Sequence, residues 1–134
     1  MIFLVQRVEM AGKFDEFEAS VESVELESGI DDRRQYHIRM IPTTFKVSGV
    51  SGAIHEWIGL SPRATEEAVP QGSVVDRYLM QLEICMSEVK NKKTVGEALK
   101  AMVGHKFKFK KLKLGKDFNN QQAKEYIVPV ALIK

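Results

Sequence analysis

The chain has 134 residues, 44% of them apolar, and a formal net charge of +2. That is enough for one domain with its own core, and too apolar for a disordered chain. No apolar run approaches the length of a membrane span, Ile2 to Val5 is too short for a signal-peptide core, and the single Cys85 excludes an internal disulfide, so the expectation is a cytoplasmic protein without membrane attachment.

The small net charge hides an asymmetry. Residues 1–30 hold two basic and seven acidic side chains, a net of −5, and residues 31–89 hold six and eight. Residues 90–116 hold ten basic and one acidic, a net of +9. Such a distribution points to a surface for an anionic polymer more than any overall isoelectric point does.

Residues 1–12 form an apolar lead-in ending at Gly12. From Phe14 to Glu27 the pattern alternates, with Phe17, Ala19 and Val21 on one face and Glu16, Glu18 and Glu22 on the other. The phase slips at Glu22–Ser23, and Val24 and Leu26 resume it, which predicts a long first strand with a bulge or bend in its middle. Ser28 to Asp32 reads as a turn. Gln35 to Ile41 is a second strand, with Tyr36, Ile38 and Met40 alternating against Gln35, His37 and Arg39, and Pro42 either ends it or places it at an edge. A Ser-Gly-Val-Ser-Gly turn leads to a third strand, Ala53 to Leu60.

Residues 61–72 are a loop. Ser73 followed by Asp76 makes an acceptable helix cap, and Val75, Tyr78, Leu79, Leu82, Met86 and Val89 then recur at helical spacing. Thr94-Val-Gly-Glu97 is a capping box before a short helix whose buried side is Ala98, Leu99, Met102 and Val103, with Gly104 as its stop. Lys106 to Lys116 alternates lysine with Phe107, Phe109, Leu112 and Leu114, with a phase slip at Lys110–Lys111 that a bulge would supply. A polar turn from Asp117 to Gln122 joins it to a last strand, Tyr126 to Ile133.

Three strands, a helical insertion over residues 61–104 and two closing strands resemble the OB-fold, a five-stranded Greek-key barrel with a helix between its third and fourth strands. The resemblance is one of topology. It rests on Phe14–Leu26, Tyr36–Ile41, Ala53–Leu60 and the closing His105–Ile133 pair, and is nearest to the single-stranded DNA-binding modules of archaea, phages and replication protein A. It implies one OB-like domain over the whole chain. It also implies a binding face on the outward residues of the second and third strands and on the hairpin around residues 110–120.

Single-strand binding needs a positive groove for phosphates and aromatic faces for bases. Lys106, Lys108, Lys110, Lys111, Lys113 and Lys116 offer the first, although lysines on a solvated sheet face also guard against aggregation. If Ile54, Ile58 and Leu60 point inward, then Trp57 and His55 point outward beside His37 and Arg39, as a stacking platform; this leaves Glu56 inward, at a desolvation cost. The opposite phase would bury Trp57. Phe118, in the hairpin turn, would stack on a base or tuck back onto the barrel.

Enzyme signals are weak. His55-Glu56 begins like a zinc-protease helix, but Gly59 stands where the second histidine belongs. His37, His55 and His105 lack metal-ligand spacing, Asp31-Asp32 reads as turn chemistry, and no phosphate-binding glycine loop or nucleophile elbow occurs. The expectation is therefore non-catalytic binding of single-stranded nucleic acid, DNA before RNA, with no cofactor or metal. The rival reading is a viral or replication-complex adaptor, in which the acidic strand with Glu16, Glu18 and Glu22 and the basic hairpin dock on different protein partners or on a second copy of the chain. A third reading is a hydrolase or nuclease working through the acidic residues.

Overall fold

A computed structural model describes residues 16–28, 34–43, 52–60, 68–114 and 125–134. The lead-in, the Asp31-Asp32 turn, most of the 47–52 turn, Glu66-Glu67, and the hairpin turn with Lys116 and Phe118 lie outside the described residues.

Five antiparallel strands form one open sheet: β1 (Glu16–Ser28), β2 (Arg34–Pro42), β3 (Ile54–Gly59), β4 (Lys106–Lys113) and β5 (Glu125–Ile133), in the order β3-β2-β1-β4-β5. Each strand follows the period-2 apolar pattern of its sequence. β1 is shared. Residues 16–20 pair with β4 and residues 19–28 pair with β2, and the register shifts between Val21 and Ser23. Glu22 is the extra residue at that shift, at the predicted bulge. Beyond the shift Val24 is buried, but Leu26 is exposed, so the inward phase expected for Leu26 does not hold.

Among the described residues the helices lie between β3 and β4. Helix α1 (Val74–Cys85) starts at Ser73, whose hydroxyl accepts from the Asp76 N–H at 3.3 Å. It buries Val75, Tyr78 and Leu82, and it packs mainly on β5 and also on β3. The apolar stripe continues to Met86 and Val89, but the backbone tightens into a 3₁₀ turn over Ser87–Asn91. Helix α2 (Val95–Lys100) is capped by Thr94, whose Oγ1 accepts from the Glu97 N–H at 3.1 Å. The Glu97 carboxylate reaches back to the Lys93 N–H at 3.4 Å, one residue further than the expected box. Val103, expected on the buried side, is exposed, because the helix ends at Lys100 and residues 101–104 are turn.

Gly104 has φ +86°, a conformation that glycine adopts without steric cost. It aims the chain back at the β1 bulge: the Gly104 N–H donates to the Val21 carbonyl at 2.9 Å, and the Val21 N–H to the His105 carbonyl at 3.0 Å. β4 starts from this clamp. The core gathers Phe17, Ala19 and Val21 of β1, Tyr36, Ile38 and Met40 of β2, Phe107 and Phe109 of β4, and Val128 of β5 beneath α1 and α2. Phe17 and Phe109 stack with centroids 5.7 Å apart.

The irregularity in the closing hairpin falls elsewhere than the sequence predicts. The β4–β5 ladder runs unbroken through Lys110–Lys113, and its register shifts between Lys108 and Phe109, where β5 carries the extra residue, Val130. Pro129 sits at this point; it lacks an N–H and cannot continue a regular ladder.

Among the described residues, β3 and β5 are the sheet edges. They are joined by a side chain: one oxygen of Glu56 accepts from the Ile127 N–H of β5 at 2.9 Å, and the other from its neighbour, the Trp57 N–H, at 2.9 Å. Glu56 is therefore inward, 8% exposed, with its carboxylate satisfied. Burial, and after it the Glu56 charge, push the Tyr78 and Tyr126 hydroxyls above their ordinary range.

Candidate nucleic-acid interface

Inward Glu56, Ile54 and Ile58 put His55 and Trp57 on the outer face of β3, and Trp57 is 40% exposed. The antiparallel register sets Trp57 opposite His37 and His55 opposite Arg39. The His37 and Trp57 rings stack with centroids 4.7 Å apart and planes 15° from parallel. His55 completes a triangle, 4.9 Å from His37 and 5.7 Å from Trp57.

One carboxylate orders this group. Glu27 of β1 accepts from the Trp57 indole N–H at 3.2 Å through Oε1 and lies 2.7 Å from His37 Nδ1 through Oε2. These hydrogen bonds, that of His37 foremost, hold the Glu27 carboxyl below the usual carboxylate range. His37 Nε2 lies 2.6 Å from His55 Nδ1. Arg39 is ion-paired with Glu22, the bulge residue. The sequence singled out His37, Arg39, His55 and Trp57 but not Glu27. Alternation after the bulge places Glu25 and Glu27 outward next to Gln35 and His37, and that was the available signal.

The lysines form a different cluster. The register sets Glu16 opposite Lys110 and Glu18 opposite Lys108. Lys108 Nζ reaches Glu16 at 2.5 Å, and Lys106 Nζ reaches Glu18 at 3.7 Å. The Lys108 hydrogen bond lowers the Glu16 pKa, and the same bond raises that of Lys108. The acidic row and the basic row are thus one cross-strand lattice of ion pairs rather than two separate surfaces. Among the described residues, Lys110 and Lys113 are exposed with no carboxylate at ion-pair distance, while Lys111 is half-buried. Three further lysines of the positive segment sit elsewhere: Lys90, Lys92 and Lys93 rim a depression between the helices, lined by Val69, Leu79, Val89 and Ala98.

The residues expected to act together therefore fall in two groups. His37, Arg39, His55 and Trp57 lie on β2 and β3, the hairpin lysines lie on β4, and the glutamates of β1 run between them. Lys116 and Phe118 lie outside the described residues. Among the described residues no cluster of His, Cys, Asp and Glu could hold a metal ion, and no helix is long and apolar enough to cross a membrane. No family model, curated protein or solved structure matches the chain.

Proposed function

We propose that this domain is an OB-like barrel that binds single-stranded nucleic acid, DNA before RNA, without catalysis. The strand order supports the barrel, because β1 pairs with both β2 and β4 and the open edges are β3 and β5. Glu56 then acts as the seam of the barrel, its carboxylate standing in for a missing ladder. The observation that carries the binding reading is the exposed His37–Trp57–His55 stack on β2 and β3. Rings that already lie parallel lose little entropy when a base extends the stack. Lys110 and Lys113, free of ion pairs among the described residues, would contact phosphates.

A protein-docking role is the second reading. It draws on α1, where Met80 is 58% and Ile84 75% exposed beside Arg77 and Lys113. The acidic strand gives that reading less than its sequence suggests, since Glu16 and Glu18 already hold lysines.

Fluorescence anisotropy with a labelled oligothymidylate across a salt series separates the two. Phosphate neutralisation by Lys110 and Lys113 alone gives a slope of log K against log salt of about −1.4, and further lysines steepen it by about 0.7 each. No binding at low salt would favour protein docking.

A further inference from the structure

We propose that His55 Nε2 is a proton site coupled to the aromatic platform, so that binding of an anionic strand takes up one proton; this rests on the nucleic-acid reading above. The hydrogen-bond directions follow from Glu27. Its carboxylate is held below the usual range and is ionised at neutral pH, so it only accepts. His37 Nδ1 therefore carries the proton of that bond. In the neutral ring His37 Nε2 is then an acceptor, and the proton of the 2.6 Å contact comes from His55 Nδ1. His55 Nε2 is left as the bare nitrogen, with no partner among the described residues, on an exposed side chain.

The network can accept one further proton, at His55 Nε2, without losing a hydrogen bond. The proton between His37 and His55 then decides only which ring carries the charge. A second added proton has no such place, because two N–H groups would face each other across 2.6 Å. The capacity is one proton. The charged groups around the pair are Glu22, Glu25 and Glu27 of β1 and Arg39 of β2; His37 is opposite Glu25, and His55 is opposite Arg39. Of these, Glu27 touches the pair directly, and Arg39 is ion-paired with Glu22.

In the unprotonated state the platform includes the negative Glu27 and two neutral imidazoles, which does not favour phosphate. With one added proton that charge is balanced. A phosphate brought alongside raises the proton affinity of the pair, and by reciprocity the proton raises affinity for the strand. The coupling is read between about pH 5.5 and 8.5, where histidine is the side chain suited to exchange a proton.

The test measures oligothymidylate affinity by anisotropy at constant ionic strength across that range, for the wild type, His55→Gln and His105→Gln. The expected result is tighter binding at low pH, by about tenfold if binding raises the proton affinity of the pair by one unit. The slope of log K against pH should never be steeper than −1. His55→Gln removes one ring of the platform and should weaken binding across the range, and the affinity that remains should no longer depend on pH; His105→Gln should leave the profile unchanged. Binding with a flat wild-type profile, or an unchanged slope in His55→Gln, overturns the coupling and leaves the nucleic-acid reading standing. Absence of binding at every pH overturns that reading and the coupling with it. Nitrogen-detected NMR of the free protein gives a test that needs no ligand: at pH 8.5 both rings should be Nδ1–H tautomers, and an Nε2–H tautomer at His55 would refute the network.

Discussion

Replacing Glu56 by Gln tests how β3 is held to β5. The carboxylate accepts two backbone N–H groups, each at 2.9 Å, and is 8% exposed. Glutamine keeps the shape but only one of its two terminal atoms accepts. Either the Ile127 or the Trp57 N–H must then face an NH₂ group. Losing one hydrogen bond to a charged acceptor in a buried place costs about 1.5–3 kcal/mol, part of it offset because the charge no longer has to be desolvated. For a domain of 134 residues, an unfolding entropy of about 2.1 cal/mol/K per residue makes 1 kcal/mol worth roughly 3.5 °C, so the melting temperature should fall by about 5–10 °C. Urea denaturation gives the free energy directly. Hydrogen exchange adds a local reading, since the Ile127 amide donates away from β4 and should lose protection before its neighbours in the β4–β5 ladder. A melting temperature within about 1 °C of wild type, with Ile127 protection unchanged, would refute the bridge and the barrel seam with it.

Trp57→Ala should lower oligonucleotide affinity by about 1–3 kcal/mol while costing little stability, because the indole is 40% exposed; a loss of stability of about 3–5 kcal/mol in a thermal melt is the result expected of a core residue instead. Replacing Lys110 and Lys113 by Gln should flatten the salt slope by about 1.4, whereas Lys106→Gln with Lys108→Gln should change it less, since those lysines already hold Glu18 and Glu16; equal effects of the two pairs would dissolve the distinction. Glu16 and Glu27 have folded-state pKa values below the unfolded one, so their contribution is present above the ordinary carboxylate range and fades as pH falls through the folded values. Melting temperature against pH from about 5 to 3 should therefore decline less steeply in the Glu16→Gln and Glu27→Gln variants than in wild type, and a steeper decline would reverse the assigned sign.

Much of the fold was legible from local pattern, because period and turn chemistry are local properties. Phe17, Ala19 and Val21 against Glu16, Glu18 and Glu22 marked both faces of β1, and the slip at Glu22 marked its bulge. The caps at Ser73 and Thr94 were readable because each side-chain acceptor lies three residues from its donor. The outward phase of His37, His55 and Trp57 followed from the same alternation once Glu56 was accepted as inward. The bulge in the closing hairpin was misplaced because alternation in β4 is blind to its partner strand, and the extra residue belongs to β5.

What only tertiary structure decided was who meets whom across strands. The charge row of β1 and the lysine row of β4 are far apart in sequence, and each alone reads as a free surface. Antiparallel pairing sets Glu16 and Glu18 within reach of Lys108 and Lys106 and neutralises part of that surface. The same pairing brings Glu27 under His37 and Trp57, turning three separate side chains into one ordered stack. Glu56, a desolvation cost by pattern alone, finds its compensation 71 residues later, at a backbone N–H that no local rule could have assigned to it. Residue type and spacing settle which face a side chain takes, because that depends on its own strand; register settles its partner, because that depends on another strand.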